Sequence, residues 1–412
     1  MGEPGPVLSN VKGRLPVVIQ SLLFMILGNF TFSSYAPLAP FIKNTYLLNS
    51  TELGLITSVI FIGSFSVSFL SGAFVDGLGP SRAVKISFAV MALGSLAAAL
   101  SHSYVQLVIG FYAIGFGYGL ITPSTNRAVM EEYYPHHATP MGIKQSGVPV
   151  GAALSAVVLP LVAIHFGLQW SFVVTIIIGG TIALLIPIGK RDNTETRKQK
   201  GYLRQVLGAG RNRSLMTISI CAAFLSWGQQ SILTYYVVFL EQRGFVILIA
   251  EIFLALLLIG AVVGRLFWAS ISGRIFNGNR LKSLVLIMVI SSALFISFPT
   301  ISVSIFSAGF IAFFVGMSSV GWNSVYVTLI SEIAPRSKVG LFSGLSLMVM
   351  SMGTILGTPF AGFIQDRTHS YVDMWLTLGI ALFSAAMFLL FMELRYRIYH
   401  VAREEKESLI ED

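Results

Sequence analysis

Long apolar stretches follow one another along the whole chain, centred on residues 16–42, 53–75, 84–100, 104–129, 142–164, 170–188, 214–240, 248–272, 283–299, 301–331, 341–365 and 373–394. Each is long enough to cross a hydrocarbon layer of ~30 Å. No water is available there to satisfy backbone N–H and C=O groups, so such stretches must be helices or closed barrels, and their length selects helices. Only 11% of the 412 residues are charged, against about 25% in a soluble domain. The expectation is an all-α polytopic membrane protein with twelve transmembrane helices. The polar start "MGEPGPVLSNVKGRLP" and the length of the first stretch argue against a cleaved signal peptide.

The formal net charge is +9, but the placement of the charges reports topology rather than an acidic partner. With twelve spans, both termini lie on one side. The loops and tails of that side hold 23 of the 27 Lys and Arg residues, and the other side holds Lys43, Arg243 and Arg367. This asymmetry predicts cytoplasmic termini in a plasma or inner membrane. The partners expected are the lipid bilayer and a small molecule, with no nucleic acid and no cofactor, and the chain is expected to act as a monomer. One cysteine, Cys221, permits neither an intramolecular disulfide nor a cysteine-based metal site. All six histidines fall in loops or at span ends, which leaves no cluster for an enzyme at membrane depth.

The basic stretch "KRDNTETRKQKGYLRQVLGAGRNR" (190–213) divides the spans six and six. It predicts two six-helix bundles, residues 1–189 and 214–412, joined by a linker held at the anionic leaflet. The halves also repeat one another. "GFYAIGFG" (110–117) matches "GFIAFFVG" (309–316), Glu132 and Pro135 match Glu332 and Pro335, and Pro160 matches Pro359, all at offsets of 199 or 200. Internal repeats of this kind mark transporters in which two bundles flank a central cavity.

The loop "GAFVDGLGPSRAVK" (72–85) resembles the G-x-x-x-D-x-x-G-x-x-R signature of the major facilitator superfamily. The resemblance extends over the chain through the span number, the central loop and the repeat. It implies a gating role for Gly72, Asp76, Gly79 and Arg82, with Arg274 in the matching loop "WASISGRIFNGNRLK" (268–282), where Gly273 replaces the usual acid. Phe111 stands where many proton-coupled members have arginine, and "GIKQSGVPVGAA" departs from the antiporter pattern of the fifth span.

Arg265 is the one charge between Ile252 and Ile271. It lies past the span centre and ~13 Å of helix from Arg274, which makes snorkelling a strain. Ala261, Trp268 and Ser272 share its stripe. Three readings stay open: Arg265 binds an anionic substrate, it pairs between helices, or it faces water without a specific role. No acid lies inside a span except near the ends, as at Glu251 and Asp366, and a guanidinium fork matches a carboxylate. "VGRLFWASISGR" (263–274) is similar to the eighth span of oxalate/formate exchanger and monocarboxylate branches, and other segments to nitrate-type members.

In this superfamily the first, fourth, seventh and tenth spans line the cavity. Carried over, this implies substrate contact for Asn29, Tyr35, Asn126, Gln230, Trp322, Asn323 and Tyr326, beside Arg265. Arg127, within i,i+4 reach of Glu131, and Lys144 read as snorkelled or gating charges, with substrate contact by Lys144 left open. The expected activity is movement of a small organic anion, a carboxylate, by alternating access. Exchange or facilitated diffusion is favoured over proton symport, which stays open if the substrate carries the proton or if Glu251 or Asp366 lies deeper than hydropathy places it. The alternative is a carrier of an inorganic anion or of a neutral or cationic solute, with proton coupling open and Arg265 structural.

Overall fold

The computed structural model describes residues 15–68, 78–133, 138–186, 209–276, 278–299, 305–335 and 339–397. Among these there is no strand, and eleven helices are long and apolar enough to cross a membrane. The expected seventh span is helical throughout but is more polar than the other eleven, through residues such as Gln229, Gln230 and Thr234.

The helices in order are α1 (Leu15–Phe32), a 3-10 turn (Ser33–Tyr35), α2 (Ala39–Tyr46), α3 (Ser50–Ser68), α4 (Pro80–Ala99), α5 (Tyr104–Tyr118), α6 (Ile121–Tyr133), α7 (Ala138–Gln145), α8 (Gly147–Phe166) and α9 (Leu168–Leu185). After the central loop come α10 (Arg213–Gln242), α11 (Ile247–Arg274), α12 (Arg280–Ser297), α13 (Ile305–Ser319), α14 (Asn323–Ile333), α15 (Val339–Thr368) and α16 (Tyr371–Tyr396). Polar side chains mark several starts. Asn212, Asn279 and Ser370 accept the backbone N–H of Leu215, Lys282 and Asp373 at 2.8, 3.1 and 3.2 Å, which satisfies donors that a first helical turn leaves open.

Four of these membrane-length helices carry a local break in regular hydrogen bonding. The first expected span breaks around Pro37, the fourth at Gly119–Leu120, the fifth at Ser146 and the tenth at residues 320–322. Hydropathy alone does not reveal such breaks, because a broken apolar run is as apolar as a continuous one. The breaks in the fourth and tenth spans fall within two residues of one another in the repeat.

The chain forms two compact units. One comprises residues up to Phe41 and from Val59 to the central loop; the other comprises Ile42–Ser58 and the helices after the loop. In the first unit α1 packs on α8 and α4 on α9, and α3 meets α5 where Gly115 lies against the Ile60 backbone. In the second, α10 packs on α15, α12 on α16 and α11 on α13. The same three pairings thus recur. Gly151 of α8 sits on the Ile26 carbonyl, and Gly353 of α15 on the Ala223 carbonyl. A Cβ at either place would overlap backbone, so these two helix pairs approach closely only because glycine has none.

Candidate functional site

In the first unit the polar residues of the first, fourth and fifth spans lie near the helix breaks. Asn29 is buried: its Nδ2 donates to the Val148 carbonyl at 3.1 Å and its Oδ1 accepts from Ser33 Oγ at 2.8 Å. Tyr35 is buried in the 3-10 turn, while Asn126 of α6 is exposed. Arg127 donates to Glu131 at 2.6 Å, as its spacing implies.

Lys144 departs from expectation. It does not snorkel; it is 1% exposed. Its Nζ donates to Thr125 Oγ1 at 3.0 Å, and Thr125 in turn donates to the Ile121 carbonyl at 2.8 Å. No carboxylate among the described residues lies within ion-pair distance of Lys144. Lys144 stands in the last residues of α7, two before the turn at Ser146.

In the second unit, Arg265 stands on the protein-facing side of α11. Ala261, Trp268 and Ser272 on its stripe are buried, whereas Val262, Val263, Leu266 and Phe267 are exposed and Arg265 itself is half-buried. Gly264 beside it lies on the Met317 carbonyl, and Trp268 Nε1 donates to that same oxygen at 2.9 Å. Ser324 of α14 donates to the Arg265 carbonyl at 2.9 Å. The arginine is therefore anchored by its backbone against the break of the tenth span.

The tenth-span candidates cluster with it on α14. Asn323 Nδ2 donates to Gln229 Oε1 at 2.9 Å, beside buried Gln230. Trp322 is fully buried, edge-on to Tyr326 at 5.4 Å. The Tyr326 hydroxyl is bonded to Ser346 Oγ, which meets Ser219 Oγ at 2.8 Å. Tyr326 thus spends its hydroxyl on α15, through Ser346. An apolar crevice of about 290 Å³ also lies between α10 and α15, lined by Phe224, Trp227, Met352 and Phe360 among others. Its lining has no charged group with which to hold a polar solute, so the polar cluster at α11 and α14 is the better candidate site.

Of the expected gating residues, Gly72 and Asp76 lie outside the described residues. Gly79 has φ 79° and starts α4, as Gly278 with φ 81° precedes α12 at the repeat offset of 199. Arg82 is half-buried in the first turn of α4, and Arg274 is exposed at the end of α11. The second-half loop is held instead by Arg280, whose Nε donates to Glu332 at 3.2 Å, a pair the sequence reading did not single out. Glu332 is one of the residues matched in the repeat, and this was the available signal.

The fold and the comparisons agree on the class. Residues 21–358 match the model of the Major Facilitator Superfamily, and the chain belongs to that family. It is a multi-pass membrane transporter and not an enzyme. The hexuronate transporter of Bacillus subtilis (strain 168) is 24% identical over 398 residues, covering 91% of this chain and 93% of that one. The 3-(3-hydroxy-phenyl)propionate transporter of Escherichia coli (strain K12) is also 24% identical, covering 78% and 79%. Among solved structures, an inward-facing bacterial homolog of the human lysosomal transporter Spinster aligns with a TM-score of 0.72 at 17% identity, covering 95% of this chain and 97% of that one. The nucleoside transporter NupG aligns at 0.76 and 14% identity, covering 92% and 99%; at these identities the likeness is one of fold.

Proposed function

We propose that this protein is a secondary transporter of a small organic anion, a carboxylate, working by alternating access between bundles of residues 1–189 and 214–412. Twelve spans with both termini at the cytoplasmic face of the plasma or inner membrane complete the reading, supported by the charge asymmetry of the loops. The observation that carries the anion reading is Lys144, a buried ammonium whose hydrogen bond goes to a hydroxyl, Thr125. A cation kept inside a membrane protein without a carboxylate beside it is one that an anion from outside would stabilise. Arg265, on the protein-facing side of α11, carries a guanidinium fork of the kind that engages a carboxylate in two parallel bonds. The relatives that carry hexuronate and hydroxyphenylpropionate support the same chemistry.

The test is ligand-induced thermal stabilisation of the purified protein, wild type beside Arg265→Gln. The panel holds hexuronates, mono- and dicarboxylates, nitrate, phosphate, neutral sugars and organic cations. A ligand at 100 times its dissociation constant adds about 2.7 kcal/mol to the folded state. Carboxylates should stabilise the wild type, and the variant should lose that response. Equal stabilisation of both by carboxylates, or stabilisation by neutral solutes alone, overturns the reading.

A further inference from the structure

Glu251 and Asp366, acids on α11 and α15 of the second unit, differ in what they touch. Asp366 of α15 is fully engaged: its Oδ1 accepts the Ser50 amide at 2.8 Å, and its Oδ2 accepts the Thr51 amide and hydroxyl at 2.8 and 2.6 Å. Glu251 of α11 is 2% exposed, and neither of its carboxylate oxygens has a hydrogen-bond partner among the described residues. Nor does any Lys, Arg or His among them lie within ion-pair distance of it. The residues around it on α11, Ala250, Phe253, Leu254 and Leu257, are buried and apolar.

Glu251 also shares a stripe with Arg265. Glu251, Leu258, Arg265 and Ser272 follow at seven-residue spacing on α11, each turned by only ~20° from the last. Fourteen residues of helix place the acid ~21 Å along the axis from the arginine, on the same protein-facing side. The opposite face, with Ile252, Ile259 and Leu266, is exposed.

Other charged or titratable groups on the packing helices do not serve Glu251. The ones near its end of the bundle are Tyr235, Tyr236 and Glu241 of α10, with Arg243 at that helix's C-terminus. Arg243 donates to the Pro299 carbonyl and lies over the Phe239 ring at 5.0 Å, and Tyr235 bonds the Ser50 and Thr358 carbonyls. The described residues of α13 carry no charge. Arg280 and Lys282 of α12 and Tyr326 and Glu332 of α14 stand toward the other end, where α11 finishes, as do Arg213 and Cys221 near the start of α10.

A carboxyl group buried among apolar side chains, with neither donor nor cation, is tolerated as the neutral acid and not as the ion. To ionise, it must reach water or a cation, which a transporter provides when its helices rearrange. We propose that Glu251 is the proton-binding site through which this transporter couples anion movement to the proton gradient. The proton joins one carboxylate oxygen on the side of entry and leaves the same oxygen on the other side, and no other bond changes. A monocarboxylate travelling with that proton moves no net charge. The proposal rests on the carboxylate reading given above.

The experiment has a part that needs no substrate. Infrared difference spectra of the purified protein, stepped through pH, should show a titrating carboxylic-acid C=O band that is absent from Glu251→Gln. Reconstituted vesicles then compare two modes with D-glucuronate as the probe. Counterflow, which needs no net proton movement, should survive in Glu251→Gln, while accumulation driven by an inward proton gradient should fall to the level seen without a gradient. An identical infrared titration in the variant, or gradient-driven accumulation that persists in it, overturns the proposal. Glu251→Asp keeps a carboxyl and should retain driven uptake with a shifted pH profile; should the glutamine variant fail to fold, an unshifted aspartate profile overturns the proposal in its place. If neither D-glucuronate nor any other carboxylate stabilises or is carried by the wild type, the anion reading fails, and the infrared titration still decides separately whether Glu251 takes up the proton.

Discussion

Asp366 caps the N-terminus of α3 through Ser50, accepting the Ser50 amide at 2.8 Å across 316 residues of sequence. The second carboxylate oxygen takes the Thr51 amide, so one side chain satisfies two of the open donors of that helix. Lys43 reinforces the joint by donating to Ser50 Oγ and the Tyr371 hydroxyl, both at 3.1 Å. Thr57 meets Thr234 at 2.9 Å further along the helix, and Ser58 donates to the Ile355 carbonyl at 2.6 Å. This set explains why Ile42–Ser58 groups with the helices after the central loop.

Replacing Asp366 by Asn removes the charge and turns one acceptor into a donor facing an amide. Loss of a cap of this kind costs about 0.5–2 kcal/mol. Amide hydrogen exchange over residues 50–54 should quicken, read by mass spectrometry, while exchange in α8 and α9 stays as in the wild type. Unchanged protection at Ser50 and Thr51 would show that water or a neighbour replaces the carboxylate.

Gly353 and Gly344 both lie on α15, but only the first touches another backbone. A Cβ at Gly353 would overlap the Ala223 carbonyl, whereas nothing stands within 4 Å of one at Gly344. Gly353→Val should lower the thermal midpoint markedly. Gly344→Ala should hold or raise it, since removing a helical glycine stabilises by about 0.5–1 kcal/mol. Scanning fluorimetry of the two variants side by side reads the difference.

Lys144→Met tests whether a functional group is held at a cost to stability. The methionine fills similar volume and removes the cost of keeping a charge out of water. The variant without ligand should therefore melt at or above the wild-type temperature yet lose its stabilisation by carboxylates. A variant that melts lower and still responds to carboxylates would make Lys144 a packing residue.

Tyr326→Phe removes the hydroxyl that joins α14 to Ser346. A net loss of about 0.5–1.5 kcal/mol is expected for the bond, with the Ser346–Ser219 contact remaining. Carboxylate affinity should change little, because the hydroxyl is occupied by protein. Isothermal titration of both proteins separates this outcome from direct substrate contact, for which affinity falls while stability holds.

Much of this protein follows from sequence alone. Twelve apolar stretches, the loop at 72–85 and the constant repeat offset led to an all-helical superfamily member, because span length and backbone satisfaction in lipid admit few other solutions. The arginine at 265 was visible as a charge where charge is penalised, and its companions on the stripe followed from helical periodicity. Lys144, Glu251 and Asp366 were equally visible as letters, but their roles were not. Lipid and protein interior are both apolar, so hydropathy does not distinguish the side of a membrane helix that meets protein from the side that meets lipid. Only tertiary packing decides that Lys144 is enclosed, that Glu251 stands without a donor among the described residues while Asp366 holds three, and that a helix near the start of the chain is capped by a carboxylate near its end.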